Sequence, residues 1–591
     1  MSMTTRSAPR ARTFEPRLLT LSALSAALAL AAFAAQAQTA PPGIGDALRQ
    51  LPAPAPRPDT APPLPTLGNL PPAPPMQALP GGGPRVQVAR FEIAGNREID
   101  TATLQAQLQG EAGKAYTLAE LEALAARLTR YYRGRGYFVA RVYVPAQEPA
   151  QEAGGGVLTL RVLEGNYGRF VLDNRSRVND AVVQGLLDDV KRYDIVSLDT
   201  LERAMLIIND TPGVQVVRAD VMPGARVGTS DFAVGTQATP AANGYLLADN
   251  HGSRYTGKAR LSGAVDWNSP TGRGDRLSAS GLLTEHAGLA NGRLAYSALL
   301  STRGTRAEAA LSRTRYELGD RYAALDATGT ADALELNLTT PLKRTRATSI
   351  EAGLALAARQ LRDEVRSAGL VTPKRSHGVT ASVSLRHIHA LLAGHDGQTT
   401  ASAALSYGRL AFRDATARAL DAAGDRTEGD YGKLELRLAH AVQLPQGVTA
   451  QASARAQITL SGRNLDGSER MGVAGSGGVL AYPIGELSGD HAVLLHAELN
   501  KALGGTQSGG QGSRLRWTAG VFTDHGRARA AHPAGPSGQP RTLADVGASL
   551  SLATTGGGMA KLQLARRTAG GEPMSERAGR TRVLVQGGWV F

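Results

Sequence analysis

The sequence predicts a transmembrane antiparallel β-barrel of about 16 strands that follows two βααββ domains. Three observations support this fold class: an export signal opens the chain, one α+β pattern occurs twice in tandem, and alternating strands fill the remainder. The predicted boundaries are 1–37 for the signal, 38–84 for a linker, 85–165 and 166–238 for the two domains, and 239–591 for the barrel.

The composition excludes several classes of protein. The chain has 591 residues and no cysteine, so disulfides, thiol catalysis and thiolate metal sites are all excluded. The net charge of +14 would suit nucleic acid, but Arg and Lys are scattered among acids and form no basic helix. We therefore predict no nucleic-acid partner. Glycine (69 residues) far exceeds phenylalanine (9), which favours strands and turns over a large helical core.

Residues 1–37 have the pattern of an export signal. Several arginines precede an uninterrupted apolar run, Leu18–Ala35, and Ala35-Gln36-Ala37 fits the small-x-small rule for cleavage. The run also approaches the ~20 residues that a transmembrane helix needs. Its alanine-rich composition and its cleavage site favour a signal peptide over an anchor.

The linker at 38–84 is dense in proline, which removes backbone donors and fixes φ, so this stretch cannot build a core. One interruption, Gly45–Leu51, has the composition of two helical turns. A helix this short is not stable by itself in water.

Between residues 85 and 238 a βααββ order occurs twice. The first copy has predicted strands Val86–Ile93, Phe138–Val144 and Val157–Leu163, a helix over Asp100–Leu108 and a helix that opens at the capping box Thr117–Glu120. The second has predicted strands Phe170–Leu172, Val214–Val221 and Ser230–Thr236, and helices over Asp180–Val190 and Leu198–Asn209. Tandem units of about 70–80 residues indicate a repeat. Two generic ferredoxin-like modules are the alternative, and order and position argue against them.

Residues 239–591 are short alternating runs divided by Gly, Asn, Asp and Pro. Lys433–Leu438, for example, places three leucines opposite Lys433, Glu435 and Arg437. A sheet with one face in water alternates in the same way. Strands of about ten residues, with charges on one face and apolar residues on the other, are typical of a lipid-exposed barrel. At about 22 residues per strand and connection the stretch holds about 16 strands, and the export signal favours the barrel.

The sequence lacks motifs for catalysis and cofactor binding. It contains no nucleophile elbow, zinc-protease motif, Walker loop or dinucleotide fingerprint. His387 and His389 would share a strand face, but no third ligand is suggested nearby, so we predict loop-end histidines and no metal site. Nothing indicates a substrate cleft between Asp490 and Asp524. The sequence therefore predicts neither an enzyme nor a cofactor.

A glycine-rich loop, Gly477–Asp490, lies between two predicted strands and contains Tyr-Pro and Gly-Asp pairs. It resembles the Val-Arg-Gly-Tyr or Val-Arg-Ala-Tyr-Pro loop of two-partner secretion transporters (TpsB; the haemolysin secretion/activation, ShlB/FhaC/HecB-like family). The resemblance implies that residues 472–490 fold back into the barrel lumen. The motif residues are Val479, Leu480, Ala481, Tyr482, Pro483, Gly485, Glu486, Gly489 and Asp490. Leu480 stands where the family has arginine.

A Phe-Thr-Asp-His-Gly sequence on a later predicted strand resembles the Phe-x-Asp-x-Gly motif of the barrel wall in the same family. The matching residues are Phe522, Asp524 and Gly526, and the resemblance implies that this aspartate pairs with the loop arginine. Because leucine replaces that arginine here, two possibilities stay open. Either Asp524 finds another cation, with Arg470 and Arg516 as candidates, or the loop is held differently.

The tandem units resemble the paired polypeptide-transport-associated (POTRA) domains of these transporters, most closely around Asn209–Val214 and Gly228–Asp231. The resemblance also implies that the short N-terminal helix plugs the barrel. The last strand, Val583–Phe591, ends on an aromatic residue. Trp589 and Phe591 are therefore the predicted signal for the barrel-assembly machinery.

By this resemblance the chain would export one dedicated, large β-helical exoprotein, of haemolysin or adhesin type, across the outer membrane. The two domains would lie in the periplasm and capture the unfolded partner by adding its strand to a sheet edge. The candidate edge residues are Phe138, Val142, Val144, Val214, Val216 and Val221. A barrel-assembly factor and a passive porin are the alternatives. The predicted partners are the exoprotein, outer-membrane lipid and the barrel-assembly machinery.

Overall fold

The structure is a computed structural model that describes residues 41–51, 64–68, 70, 84–147, 150–152, 155–391, 395–503, 515–533 and 538–591. The predicted signal peptide at 1–37 lies outside these residues, as does most of the proline-rich linker. Within the described ranges, no helix has both the length and the apolar character needed to cross a membrane.

The first domain follows a short helix, α1 (Ile44–Arg49), and consists of a five-stranded sheet with two helices. Its elements are β1 (Val86–Ala94), α2 (Thr101–Ala106), β2 (Lys114–Tyr116), α3 (Leu118–Gly134), β3 (Arg141–Tyr143), β4 (Ala150–Glu152) and β5 (Gly155–Leu163). The strand order is β2-β1-β5-β3, and β4 pairs with β5. Strands β2 and β4 were not predicted, because three residues are too few to show alternation.

Helix α3 begins at the predicted capping box. Thr117 Oγ1 accepts a hydrogen bond from Glu120 N–H at 3.3 Å, and the Glu120 carboxylate accepts one from Thr117 N–H at 2.7 Å. Tyr132 on the same helix is fully buried, and its hydroxyl donates to Glu164 at 2.9 Å. Burial, and then the hydrogen bond to this carboxylate, raise the pKa of the Tyr132 hydroxyl, so it remains a donor.

The predicted strand Phe138–Val144 is wrong in its first half. Ala140 N–H donates to the Tyr137 carbonyl at 3.0 Å, so the chain turns there and β3 begins only at Arg141. Phe138 packs instead against the core of the second domain. An aromatic residue at a domain interface gives the same signal in the sequence as a strand residue.

The second domain has the same order of its main elements. These are β6 (Asn166–Arg175), α4 (Asp180–Asp188), a 3-10 helix (Asp189–Tyr193), α5 (Leu198–Asn209), β7 (Gln215–Pro223) and β8 (Thr229–Gln237), with sheet order β6-β8-β7. The predicted bounds of α5 are confirmed. The helix begins after Ser197 because Ser197 Oγ accepts a hydrogen bond from Thr200 N–H at 3.3 Å. The helix predicted over Asp180–Val190 ends earlier, at Asp188, where the 3-10 helix takes over.

Residues 242–590 form a closed antiparallel barrel of 16 strands, which confirms the predicted fold class. In chain order the elements are β9 (Ala242–Asp249), β10 (Arg260–Asn268), β11 (Arg276–Thr284), β12 (Leu289–Leu299), β13 (Arg306–Glu317), β14 (Ala327–Arg344), β15 (Thr348–Val365), β16 (Leu370–Leu391), β17 (His395–Phe412), α6 (Ala415–Ala423), β18 (Gly429–Leu444), β19 (Val448–Thr459), β20 (Met471–Gly472), β21 (Ser488–Gly489), β22 (His491–Leu503), β23 (Leu515–Arg529), β24 (Arg541–Thr554), β25 (Gly558–Ala569) and β26 (Thr581–Val590). All strands from β9 onward except β20 and β21 belong to the wall, and β26 pairs with β9 to close it.

The two faces of the wall differ as the alternation predicts. On β18, Leu436 and Leu438 are 40% and 52% exposed and point outward. Lys433 on the same strand points into the lumen, where it pairs with Glu469 at 3.0 Å. Large exposed apolar side chains cover the outer face of the other strands in the same way. The outer face is therefore suited to lipid and the inner face to water.

The second domain lies against one rim of the barrel, which we call the domain-side rim. Arg344, at the end of β14, makes two hydrogen bonds to Asp210 at 2.7 and 2.8 Å. Asn179 N–H donates to the carbonyl of Gly272, in the turn after β10, at 2.8 Å. The opposite ends of the strands form the far rim.

Candidate functional site

A loop that spans residues 460–490, between β19 and β22, lies inside the barrel. It starts earlier than the predicted residue 472. Its carboxylates meet basic side chains of the inner wall: Asp466 pairs with Lys374 at 2.7 Å, and Glu469 pairs with Arg359 at 2.6 Å. We call this segment the inward loop.

The tip of the inward loop, residues 479–482, is almost wholly buried against the wall. Leu480 is 6% exposed and forms an apolar cluster with Phe522, Ala565 and Leu584, which lie on β23, β25 and β26. An apolar contact therefore occupies the position where the family carries a charge.

Polar groups of the wall hold the backbone of the tip. Ala481 N–H donates to Asp545 at 2.6 Å, and Arg582 donates to the carbonyls of Leu480, at 3.2 Å, and Tyr482. The Tyr482 hydroxyl lies within hydrogen-bond distance of the carbonyls of Ala569, the last residue of β25, at 2.7 Å and of Gly571 at 2.9 Å. The cation at this contact thus comes from wall strand β26, and it binds backbone oxygens of the loop.

Asp524 on β23 is 3% exposed and pairs with His496 Nδ1 on β22 at 2.7 Å. On its other side it lies opposite Asp545 of β24. Arg470 is bound to a different carboxylate of the inward loop, at 3.2 Å. Arg516 lies eight residues away on the same extended strand, about 26 Å along it. The predictions of Arg470 and Arg516 as partners are therefore wrong.

Three residues of this contact were absent from the sequence predictions: His496, Asp545 and Arg582. Strand pairing places His496 and Asp545 on either side of Asp524, and it places Arg582 on β26 opposite Ala565 of the Leu480 cluster. A wall that alternates uniformly over many strands gives no local signal for register. Only the wall motif around Asp524 was short and distinctive enough to detect.

Glu486 ties the inward loop to the loop between β25 and β26. Its side chain has no exposed surface and accepts hydrogen bonds from the N–H groups of Met574 and Ser575, both at 2.9 Å. It also pairs with Arg541. Asp490 holds the base of the inward loop, because it accepts from the N–H of Leu465 in the same loop at 3.1 Å and from that of Ala531 after β23 at 2.8 Å.

Glycines allow the inward loop to approach the wall. A Cβ at Gly526 would lie 3.0 Å from both Val473 and Val479, and one at Gly489 would lie 2.6 Å from a carbonyl of β23. Gly485 has φ +82°, which favours glycine, in the turn where Glu486 N–H donates to the Pro483 carbonyl. The wall motif and the loop motif therefore fit together sterically even though the charge pair is missing.

Helix α1 also lies in the lumen. Ile44 N–H donates to Asp363 of β15 at 2.8 Å, and Arg260 of β10 donates to the Gln50 carbonyl at 2.8 Å. Gly45 faces the backbone of Gly467 in the inward loop. The helix and the inward loop therefore occupy the lumen together and touch each other.

We expect Gly45→Ala to loosen this contact, because a Cβ there would overlap the backbone of Gly467. The measurement is single-channel conductance in planar bilayers, which should rise in the variant. Gly43→Ala is the matched control, since its Cβ would make an ordinary 3.5 Å contact with Asp363. Equal conductance in both variants would show that the contact between α1 and the inward loop does not limit flow through the channel.

The sheet edges of the two domains differ in how much of their backbone is available to pair with another strand. Strand β3 is short, and the N–H of Val142 is already bonded to Thr129 Oγ1 of α3 at 2.9 Å. Val144 is the first residue after β3. The structure therefore leaves little of β3 for a partner strand.

Strand β7 is a nine-residue edge strand. Val216 and Val221 are buried, so their side chains serve the domain core, as does Val214 just before the strand. Gly68 of the linker pairs with this edge: its N–H donates to the Ala219 carbonyl at 2.9 Å, and Val221 N–H donates to its carbonyl at 3.1 Å. The edge offers backbone groups to an extended chain.

The end of the chain lies on the outer face at the domain-side rim. Trp589 and Phe591 are 57% and 60% exposed. The backbone of Phe591 extends the pairing with β9 through Gly244, with hydrogen bonds of 2.8 and 2.9 Å. Their role as an assembly signal stays a prediction.

His387 and His389 lie within β16, so the prediction of loop-end histidines is wrong. His440 of β18 stacks on His389 with ring centroids 5.5 Å apart. Thr399 between the two strands makes hydrogen bonds to both rings. In the described part of the chain, no group of three His, Asp or Glu side chains is arranged to hold a metal ion.

These features define a class: an outer-membrane β-barrel transporter with POTRA-type domains at one rim and an inward loop in its lumen. Residues 86–165 match the model of the ShlB-type POTRA domain. Residues 228–553, more than half of the chain, match the model of the haemolysin secretion/activation protein family ShlB/FhaC/HecB. The chain belongs to this family of two-partner secretion transporters.

Curated relatives and solved structures agree with the family. The chain is 27% identical over 411 residues to the heme/hemopexin transporter protein HuxB of Haemophilus influenzae, which covers 69% of this chain and 70% of the relative. The outer membrane transporter CdiB of Dickeya dadantii is 25% identical over 28% of each chain. The structure of CdiB from Escherichia coli superposes with a TM-score of 0.68 and 17% identity, over 98% of this chain and all of that one.

The chain is therefore an outer-membrane transporter with periplasmic POTRA-type domains, and it acts in two-partner secretion to export a partner exoprotein. The domain-side rim faces the periplasm, and the far rim faces the cell exterior.

Proposed function

We propose that this transporter exports one dedicated, large β-helical exoprotein of haemolysin or adhesin type. The observation that supports this proposal is that the inward loop and α1 together fill the lumen. The inward loop and α1 meet the wall through ion pairs and hydrogen bonds, such as those at Lys374 and Arg260. Neither segment belongs to the closed ring of wall strands, so both can leave the lumen to an extended chain while the barrel stays closed.

The proposal includes no catalytic activity, no cofactor and no nucleic acid. The named relatives are transporters. The basic side chains of the described wall strands are divided between the lumen, as at Lys374, and the outer face, as at Arg527. Outer-membrane lipid would surround the apolar outer face, and the barrel-assembly machinery would recognise Trp589 and Phe591 during insertion.

Capture of the partner is proposed to occur at the edge of β7. An extended segment would add to this strand through main-chain hydrogen bonds, as in β-augmentation. It would have to replace the two hydrogen bonds that Gly68 makes there. Strand β3 is a weaker candidate because Thr129 already uses the backbone of Val142.

A disulfide between positions 68 and 220 is expected to block secretion. Gly68 and Asp220 are bridge partners, and the chain has no other cysteine to interfere. Gly68→Cys/Asp220→Cys should hold the linker on β7, reduce secretion at least about tenfold in oxidising medium, and recover on addition of reductant. Each single cysteine variant is the control. Secretion at the parental level with the disulfide formed would contradict capture at this edge.

The function as a whole is tested by secretion of a neighbouring large β-helical protein with and without this gene. The proposal expects surface delivery of one such protein to be lost without the gene, with the levels of other outer-membrane barrels unchanged. Unchanged delivery of every candidate would refute it, and a general loss of barrels would favour an assembly factor.

A further inference from the structure

The two rims of the outer face carry different side chains. All three tryptophans of the sequence, Trp267, Trp517 and Trp589, are exposed on the outer face toward the domain-side rim. Toward the far rim the same face carries arginines. This contrast separates a rim suited to an ordinary membrane interface from a rim that carries arginines on its outer face.

Three of these arginines form what we call the arginine arc: Arg527 and Arg529 on β23, and Arg566 on β25. They follow Val521 and Leu564 on the outward side of their strands, and those two residues are 58% and 45% exposed. Side chains on one face recur about 6.6 Å apart along a strand. Arg566 therefore lies one such step beyond Leu564, and Arg527 lies three steps beyond Val521.

The arginine arc has no acidic neighbour on its own face. At the far-rim ends of β22 to β26, the outward positions beside the arc hold residues such as Val493, Thr542 and Thr568, and no carboxylate. Within the described ranges, no ion pair joins any of the three arginines to an acid. Three guanidinium groups at the edge of the hydrocarbon thus carry uncompensated charge.

Elsewhere on the same rim, three outward arginines have an acidic partner. Arg313 faces Asp332 at 3.6 Å and Arg409 faces Asp430 at 3.8 Å, both on the outward side. Arg362 pairs with Glu364 in the same way. These partnered arginines show that the wall can balance its charge locally, whereas no such pair forms at the three arginines of the arc in the described residues.

We propose that the arginine arc binds the phosphate groups of a phosphorylated glycolipid, of the lipid A type, in the external leaflet. A guanidinium group presents planar donors that match phosphate oxygens, while its stem lies along apolar surface. Arg527 and Arg566 are separated by two strand spacings and about four residues, roughly 16 Å between backbone positions. Flexible side chains at that separation bracket the headgroup of a two-sugar lipid with a phosphate at each end.

The test uses the full chain purified in neutral detergent, with lipid binding followed by native mass spectrometry. The probes are lipid A with two phosphates, the same lipid without phosphates, and phosphatidylglycerol. Arg527→Gln/Arg529→Gln/Arg566→Gln should weaken binding of the bisphosphorylated lipid at least about tenfold, since each arginine near an anionic headgroup contributes about 1 kcal/mol. Binding of the dephosphorylated lipid should be weak and should not change.

The matched control is Arg313→Gln/Arg362→Gln/Arg409→Gln, which removes the same charge from the same rim. It should leave the affinity for bisphosphorylated lipid A within about twofold of the parent. Heat-dependent mobility in gels shows that each barrel is folded. If the first triple variant does not fold, Arg527→Lys/Arg529→Lys/Arg566→Lys replaces it and should weaken binding about threefold. Parental binding in the folded arc variant would overturn the proposal, as would an equal loss in the control or equal binding of phosphatidylglycerol.

Discussion

Glu486→Ala is expected to release the inward loop from the barrel. The carboxylate is completely buried, so its removal leaves the N–H groups of Met574 and Ser575 and the charge of Arg541 without their partner. Loss of one member of such a buried pair costs about 3–5 kcal/mol. We therefore expect the inward loop to become accessible to protease added outside intact cells and the channel conductance to rise severalfold.

Limited proteolysis of whole cells, followed by mapping of the cleavage sites, measures this effect. Cleavage should fall between residues 460 and 490 in the variant and be absent in the parent. Glu428→Ala is a suitable control, because its carboxylate lies in another loop at the far rim and pairs with Arg418 at 3.0 Å. Identical digestion patterns in Glu486→Ala and the parent would show that the loop is held elsewhere.

The barrel could be predicted because the membrane imposes one rule on every wall strand. Lipid requires apolar side chains at alternate positions, so leucines such as Leu436 and Leu438 reveal the outer face without knowledge of the neighbours. The tandem domains were detectable for a similar reason, since capping at Thr117 and Ser197 is local in sequence. Elements of only three residues, such as β2, carry no comparable signal.

The contact at the tip of the inward loop could be predicted only in part. The resemblance located Asp524 and the loop motif, but the cation could not be found by nearness in sequence. His496 reaches Asp524 because β22 and β23 pair with a particular register, and Arg582 reaches the tip because β26 lies nearby around the barrel. Both facts depend on how sixteen strands close, which is a global property of the chain.

The pair His496–Asp524 gives the wall aspartate a donor in place of the loop arginine that the resemblance to the family implies. Asp524 lies opposite Asp545, so two buried carboxylates share a small volume of the wall. Asp545 is engaged by the N–H of Ala481, and Asp524 by the imidazole of His496. Each carboxylate thus has one donor, and the loss of either donor leaves a buried charge without compensation.

His496→Leu is therefore expected to destabilise the folded barrel by about 3 kcal/mol, because leucine fills the space of the imidazole but donates nothing to Asp524. The temperature at which the barrel loses its heat-resistant mobility in gels measures the effect. His496→Leu/Asp524→Asn should recover most of the loss, since the double variant removes the buried charge together with its partner. The equivalent exchange at His491, which lies at the beginning of the same strand and makes no contact with Asp524, should change little. If the single and the double variants lose stability equally, the imidazole does not act through Asp524, and the inward loop of this transporter is held by Arg582 and the apolar contact of Leu480.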